Sequence, residues 1–137
     1  MGMLVLDCSV TMTWTFREEF TPFTERVLDE VTAGLAVVPA IWPLDVANVL
    51  LLAERRGRLT QADGARFLEL LRGLPINVSA SPDLQPFDEL LPLARETGLS
   101  PYDAGYLELA GRFGVPLATL DKGLRMAANQ VGVALVE

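Results

Sequence analysis

The chain contains no histidine and a single cysteine, Cys8, and its only lysine among 137 residues is Lys122. Without histidine there is no Ser-His-Asp or Cys-His catalysis, no imidazole acid–base chemistry and almost no route to a zinc site, because one thiol cannot replace the missing imidazoles. One cysteine also excludes an internal disulfide framework and fits a reducing compartment. With no base to activate it, Cys8 reads as a small buried residue. No apolar run approaches the ~20 residues that a membrane helix needs, and the N-terminus lacks the basic and apolar regions of an export signal. The expectation is a soluble, cytoplasmic protein with no membrane partner. Bases are scarce as well: 11 against 18 acids, for a net charge of −7. That balance argues against avid, non-specific binding to nucleic acid, and a polyanionic substrate would need divalent cations between it and the protein. Any chemistry must run on carboxylates.

What is present suits one globular unit. A composition of 50% apolar and 21% charged residues over 137 positions predicts a single domain, residues 1–137, able to bury a core without metal or disulfide staples. The most organised stretch is Leu99 to Asn129. Ser100-Pro101-Tyr102-Asp103 has the grammar of a helix start: hydroxyl cap, proline at the first helical position, acid three residues after the cap. The helix from Tyr102 to Phe113 ends at Gly114, a short apolar strand runs from Val115 to Leu120, and Asp121 opens the next helix. Each acid taken alone reads as a cap that complements a helix dipole.

The rest of the chain alternates in the same way. Met3-Leu4-Val5-Leu6 predicts a first strand that ends at Asp7, followed by a helix over Ser9 to Phe16, with Ser9 either capping it or supporting the acid. Thr21 to Gly34 predicts an amphipathic helix, Leu35 to Val38 a second strand, and Ala40 to Arg56 a long helix with Asp45 in its first turn and Arg55, Arg56 and Arg58 at its end. Thr60 caps a helix over Gln61 to Arg72, and Ile76 to Val78 is a third strand. A helix over Leu84 to Thr97 should be kinked or split by Pro92, and Gly132 to Val136 predicts a fifth, terminal strand. Trp14, Phe16, Phe20 and Phe23 cluster around the first two helices, as core or as part of an exposed groove.

Strands alternating with helices predict an α/β/α sandwich with a short-stranded, mainly parallel sheet. Asp7 and Asp121 then end strands, while Asp45 and Asp103 begin helices, so all four point to one sheet edge. Four carboxylates at ~4 Å spacing cannot all stay ionised without raised pKa values or bound cations, and hard oxygen ligands select Mg²⁺ or Mn²⁺.

The order LVLDCS, PAIWPLDVANVLLLAERRGRL, LSPYDAGYLELA and LATLDKGLRMAA resembles a PIN domain, specifically the VapC toxin ribonucleases of toxin–antitoxin pairs, across essentially the whole chain. The resemblance implies a metal-dependent endoribonuclease whose acid quartet is Asp7, Asp45, Asp103 and Asp121, with Ser9 and Thr119 as supporting hydroxyls. The family usually has glutamate where this chain has Asp45, a shorter arm that would reach a cation through water. The same resemblance implies Mg²⁺ or Mn²⁺ as cofactor, RNA as substrate, a VapB-like antitoxin whose cation enters the acid pocket, and a homodimer. Lys122 is either a phosphate ligand or a solvated charge, and Arg55, Arg56 and Arg58 either a basic rim for RNA or a helix end.

Two other readings compete. Asp7-Cys8-Ser9-Val10-Thr11 echoes the nucleophile loop of haloacid-dehalogenase-like phosphotransferases, but Ser9 stands where that chemistry needs a second acid. A PIN-like module that binds protein without catalysis is the other.

Overall fold

A computed structural model describes residues 2–137. Four strands, β1 (Met3–Leu6), β2 (Leu35–Pro39), β3 (Ile76–Ser79) and β4 (Leu117–Ala118), form one parallel sheet in the order β3-β2-β1-β4. Parallel strands need helical crossovers. These are supplied by α1 (Cys8–Thr13), α2 (Pro22–Ala33), α3 (Trp42–Arg55), α4 (Gln61–Arg72), α5 (Leu91–Thr97) and α6 (Pro101–Phe113), and α7 (Lys122–Val131) follows β4. Leu4, Val5 and Leu6 of β1 and Ala36, Val37 and Val38 of β2 are all buried, so successive side chains are covered on both faces of the sheet. That is the α/β/α sandwich expected from the sequence.

The order of the strands fixes where function sits. The chain steps from β1 to β2 to β3 in one direction, then returns to place β4 on the far side of β1. The reversal between β1 and β4 is a topological switch point, and the crevice outside the carboxyl ends of such strands is where open α/β sheets bind ligands. α6 packs against β1, β2 and β4 together, which brings its first turn to that edge.

The structure corrects the sequence expectations in two places and bears out a third, the split at Pro92. Gly132 to Val136 is not a fifth strand; it makes one isolated bridge, Leu135 to Leu117, because β4 itself is only two residues long and offers no longer ladder. The first helix ends at Thr13 rather than Phe16, and Arg17–Glu19 form a separate 3₁₀ turn. Leu84 to Thr97 is split into a π-helical turn over Pro86–Leu90 and α5, since Pro92 has no N–H to continue the regular ladder.

The aromatic cluster divides between core and surface. Phe16 is buried, Trp14 donates from Nε1 to the Thr24 carbonyl at 3.0 Å and so ties α1 to α2, and Phe20 is exposed. No helix among the described residues is long and apolar enough to cross a membrane.

Candidate active site

Asp7 leaves β1 and is the N-cap residue of α1. Its N–H donates to the Ala118 carbonyl at 3.0 Å, the next step of the β1–β4 pairing, and this sets Asp7 beside Thr119. Ser9 Oγ donates to Asp7 Oδ2 at 2.6 Å and Thr119 Oγ1 donates to the same oxygen at 2.7 Å. The two hydroxyls lie 3.4 Å apart, Leu120 N–H donates to Ser9 Oγ at 3.0 Å, and Asp121 N–H donates to Thr119 Oγ1 at 3.0 Å. Ser9 is therefore a support for the acid and not a helix cap. The network links the exits of β1 and β4 across the switch point, and it spends only one oxygen of Asp7.

Asp7 is 5% exposed. Burial pushes its carboxyl above the ordinary aspartate range; hydrogen bonds from Ser9, Thr119 and the Cys8 N–H pull it back, and the charge of Asp121 pushes it up again. Asp103, in the first turn of α6, is also raised, first by burial and then by Asp121, Asp7 and Asp45 in turn. Asp7 thus senses Asp121, and Asp103 senses the other three acids, at the carboxyl edge of the sheet. Ser100 Oγ accepts from the Asp103 N–H at 3.2 Å, while the Asp103 carboxylate makes no hydrogen bond of its own. Asp121 does cap: its Oδ1 accepts from Leu124 N–H at 3.0 Å, which leaves the other oxygen free.

Asp45 lies half-buried in the first turn of α3, and its Oδ2 accepts a 2.7 Å hydrogen bond from the Tyr106 hydroxyl. Tyr106 is fully buried, and burial, followed by the bond to Asp45, pushes its phenol far above its ordinary value. It is a permanent neutral donor. Sequence reasoning missed it, although its spacing of three residues from Asp103 along one helix places the two on the same face. Deeper in, Trp42 Nε1 donates to Thr11 Oγ1 at 3.1 Å and Thr11 Oγ1 donates to the Asp7 carbonyl at 3.1 Å, which fixes the start of α3 against the exit of β1.

The bases divide. Arg58 bonds Glu18 at 2.7 Å and Glu19 at 2.9 Å and lies 4.0 Å over the Phe16 ring, so it is a strap between the 3₁₀ turn and the start of α4 rather than part of a free basic rim. Arg55 and Arg56 are exposed. Lys122, exposed at the start of α7, makes no salt bridge among the described residues. Arg125, which sequence reasoning passed over, donates from Nη1 to the Thr119 carbonyl at 3.0 Å and holds the exit of β4. Cys8 is buried and its thiol is pushed up to about 12, first by burial and then by Asp7 and Asp45.

Among the described residues no three Asp, Glu or Cys side chains stand close enough to form a ready-made cation cage. The donor set nevertheless fits one class of ion. Every available ligand atom is a carboxylate oxygen, two of the acids are raised in part by their neighbours' charge, and a hard divalent cation relieves that repulsion. A cation held here would draw carboxylates inward and complete its shell with water.

No protein-family model matches the sequence, and no curated protein matches it. Solved structures do. PAE2754 from Pyrobaculum aerophilum superposes with a TM-score of 0.70 at 23% identity, over 92% of this chain and 84% of that one. FitAcB from Neisseria gonorrhoeae gives 0.62 at 19% identity, over 98% and 97%. FitAB bound to an IR36 DNA fragment gives 0.61 at 20% identity, over 97% and 93%. The likeness is one of fold: the chain has the PIN-like α/β/α fold.

Proposed function

We propose that this protein is a divalent-cation-dependent endoribonuclease and the toxin of a toxin–antitoxin pair. The observation that carries the reading is that the carboxyls of Asp7 and Asp103, at the switch point of a PIN-like sheet, are both held above the ordinary aspartate range, Asp7 in part by Asp121 and Asp103 in part by Asp121, Asp7 and Asp45. Structural capping has no use for such an arrangement, because a cap acid is stabilised by its helix, not strained by its neighbours.

Asp7, Asp103 and the free oxygen of Asp121 would hold Mg²⁺ or Mn²⁺, with Asp45 as an outer ligand. When bound, the cation supplies a Lewis acid for a phosphodiester and lowers the pKa of a water at the site. The chain's own residues do the rest. Ser9 and Thr119 keep one oxygen of Asp7 fixed so that the other faces the crevice, and Tyr106 does the same for Asp45. Lys122, exposed at the start of α7, would meet a phosphate of the strand.

An antitoxin partner follows from charge. The chain carries 18 acids to 11 bases and has little of its own to hold DNA, whereas FitAB, similar in fold, is known bound to a DNA fragment. A basic partner would supply that surface and would silence the site by placing an arginine or lysine among the acids. One hollow is available to such a partner. It runs from the end of α1 over Phe16 and Arg58 to Phe67 and Leu70 of α4, with a volume of about 560 Å³. A homodimer, leaving two antitoxin ends side by side, completes the reading.

The test is cleavage of single-stranded RNA by the purified protein with Mg²⁺ or Mn²⁺. Cleavage that disappears in EDTA and in Asp103→Asn supports the reading; cleavage that persists in either overturns it.

A further inference from the structure

Beside the acids, on the other face of α6, lies a hollow of about 360 Å³ to which the carboxylates do not contribute. Its walls are apolar, formed by Pro39 and Ile41 after β2, Pro86 and Leu90 of the split helix, and Tyr102 of α6. Gly105 opens the wall between them: a Cβ there would stand 3.8 Å from Pro39 and 3.9 Å from Leu90, in ordinary contact, so any longer side chain would fill the space. The inner end is polar. Gln85 is 5% exposed, its Nε2 donates to Glu108 Oε1 at 2.7 Å, and Glu108 also accepts from Arg112 Nε at 3.0 Å. The Gln85 carbonyl oxygen accepts no hydrogen bond from the chain. Among the described residues no buried side-chain polar atom is left without a partner, so this oxygen is open to the hollow. It is an acceptor fixed in place by the bond its own amide makes to Glu108.

Apolar walls around one fixed acceptor are what a flat, apolar-faced and polar-edged ring requires. The volume is at the low end for small-molecule sites and admits one ring system rather than a run of nucleotides. The hollow opens at the exits of β2 and β3, the same sheet edge as the acids, and Tyr102 on its wall is the residue next to Asp103. We propose that the hollow between α6 and the split helix is a nucleobase pocket, which seats one base of the RNA strand while the adjoining phosphate lies at the acids. The proposal rests on the ribonuclease reading for its substrate, but the pocket itself does not depend on it.

The chemistry sets a preference. Because the Gln85 amide donates to Glu108 Oε1 at 2.7 Å and to Glu89 Oε2 at 3.4 Å, the side chain cannot make the two-bond pairing with adenine that a free glutamine makes; only its acceptor remains. That acceptor takes a proton from an exocyclic amine of adenine, cytosine or guanine or from the N3–H of uracil, and finds none on 3-methyluracil, whose edge presents only carbonyls and a methyl group. One lost hydrogen bond makes the discrimination about five- to tenfold.

The test uses the intact protein in EDTA, so that no cleavage occurs, with AMP, CMP and 3-methyl-UMP added while amide chemical shifts are followed. AMP and CMP are expected to shift Ser79, Gly105 and the Gln85 side-chain amide, with 3-methyl-UMP binding about five- to tenfold more weakly. Gln85→Leu should remove the distinction, and Ser81→Trp, a change on an exposed loop at the mouth that leaves the core untouched, should block all three. Equal binding of 3-methyl-UMP, or shifts absent or centred elsewhere at millimolar nucleotide, would overturn the proposal. Cleavage of an RNA series that differs at one base is scored separately. Nucleotide binding in the pocket without any RNA cleavage would sink the ribonuclease reading and leave the pocket standing; cleavage with no shifts in the pocket would do the reverse.

Discussion

Two helices of this protein start with the same grammar and end in opposite electrostatic states. α4 opens Thr60-Gln61-Ala62-Asp63 and α6 opens Ser100-Pro101-Tyr102-Asp103, each with a hydroxyl cap and an acid three residues on. In α4 the box closes: Thr60 Oγ1 accepts from Asp63 N–H at 3.1 Å, and Asp63 Oδ2 accepts from Thr60 N–H at 3.0 Å. Those bonds, with Arg66 adding its charge, hold Asp63 below the ordinary aspartate range. In α6 only the first half forms, the Asp103 carboxylate is left without a donor, and burial and three other acids push it up. A shared motif therefore does not imply a shared role. What separates cap from site is whether the acid's own oxygens are used locally, and which charges face it from the other strands.

The largest expected effect separates the two acids by activity. Asp103→Asn should lower Mg²⁺-dependent RNA cleavage by about 10²–10³-fold, the scale for removing one group that stabilises developing charge, while Asp63→Asn leaves turnover unchanged. Next comes the hydroxyl that holds Asp45. Tyr106→Phe should lower cleavage about tenfold, as loss of an outer support does, and cost about 1–2 kcal/mol in urea unfolding. Thr60→Ala should cost about 1 kcal/mol in the same experiment through loss of the cap oxygen, with no change in turnover.

The smallest effect has opposite sign in the two helices. The raised pKa of Asp103 means that its contribution to stability is fully present below the unfolded-state value and lost as pH rises through the folded one. The lowered pKa of Asp63 means the reverse: its contribution is present above the unfolded-state value and lost as pH falls through the folded one. At neutral pH, Asp103→Asn should raise Tm and Asp63→Asn should lower it, and both differences should shrink as the pH falls below the ordinary aspartate range. Thermal melts of the two variants over pH 3–8 would check the crossing.

The sequence shows most of the scaffold because local signals and tertiary packing agree. Caps at Thr21, Thr60 and Ser100 and stops at Gly34, Gly73 and Gly114 bound helices close to where they are observed. Gly114 and Gly132 both stand at positive φ after a helix, a conformation glycine adopts without a Cβ penalty. Disagreement appears where an element needs a partner the local pattern cannot reveal. Gly132 to Val136 has the composition of a strand but meets a β4 too short to extend it. Ser9 looks like a cap until β4 brings Thr119 and the Leu120 N–H to it from 111 residues away. The strand-end positions of Asp7 and Asp121 are readable in sequence; the roles of Tyr106 and Gln85 are not, since their partners Asp45 and Glu108 lie 61 and 23 residues off.

The most direct test of the central claim is where a divalent cation settles. Mn²⁺ titrated into the isotopically labelled protein broadens the resonances nearest to it. Broadening that centres on Asp7, Asp103 and Asp121, spares Asp63, and vanishes in Asp103→Asn is the result expected of four acids acting as one site. Broadening spread over the surface acids, or unchanged by Asp103→Asn, would contradict it.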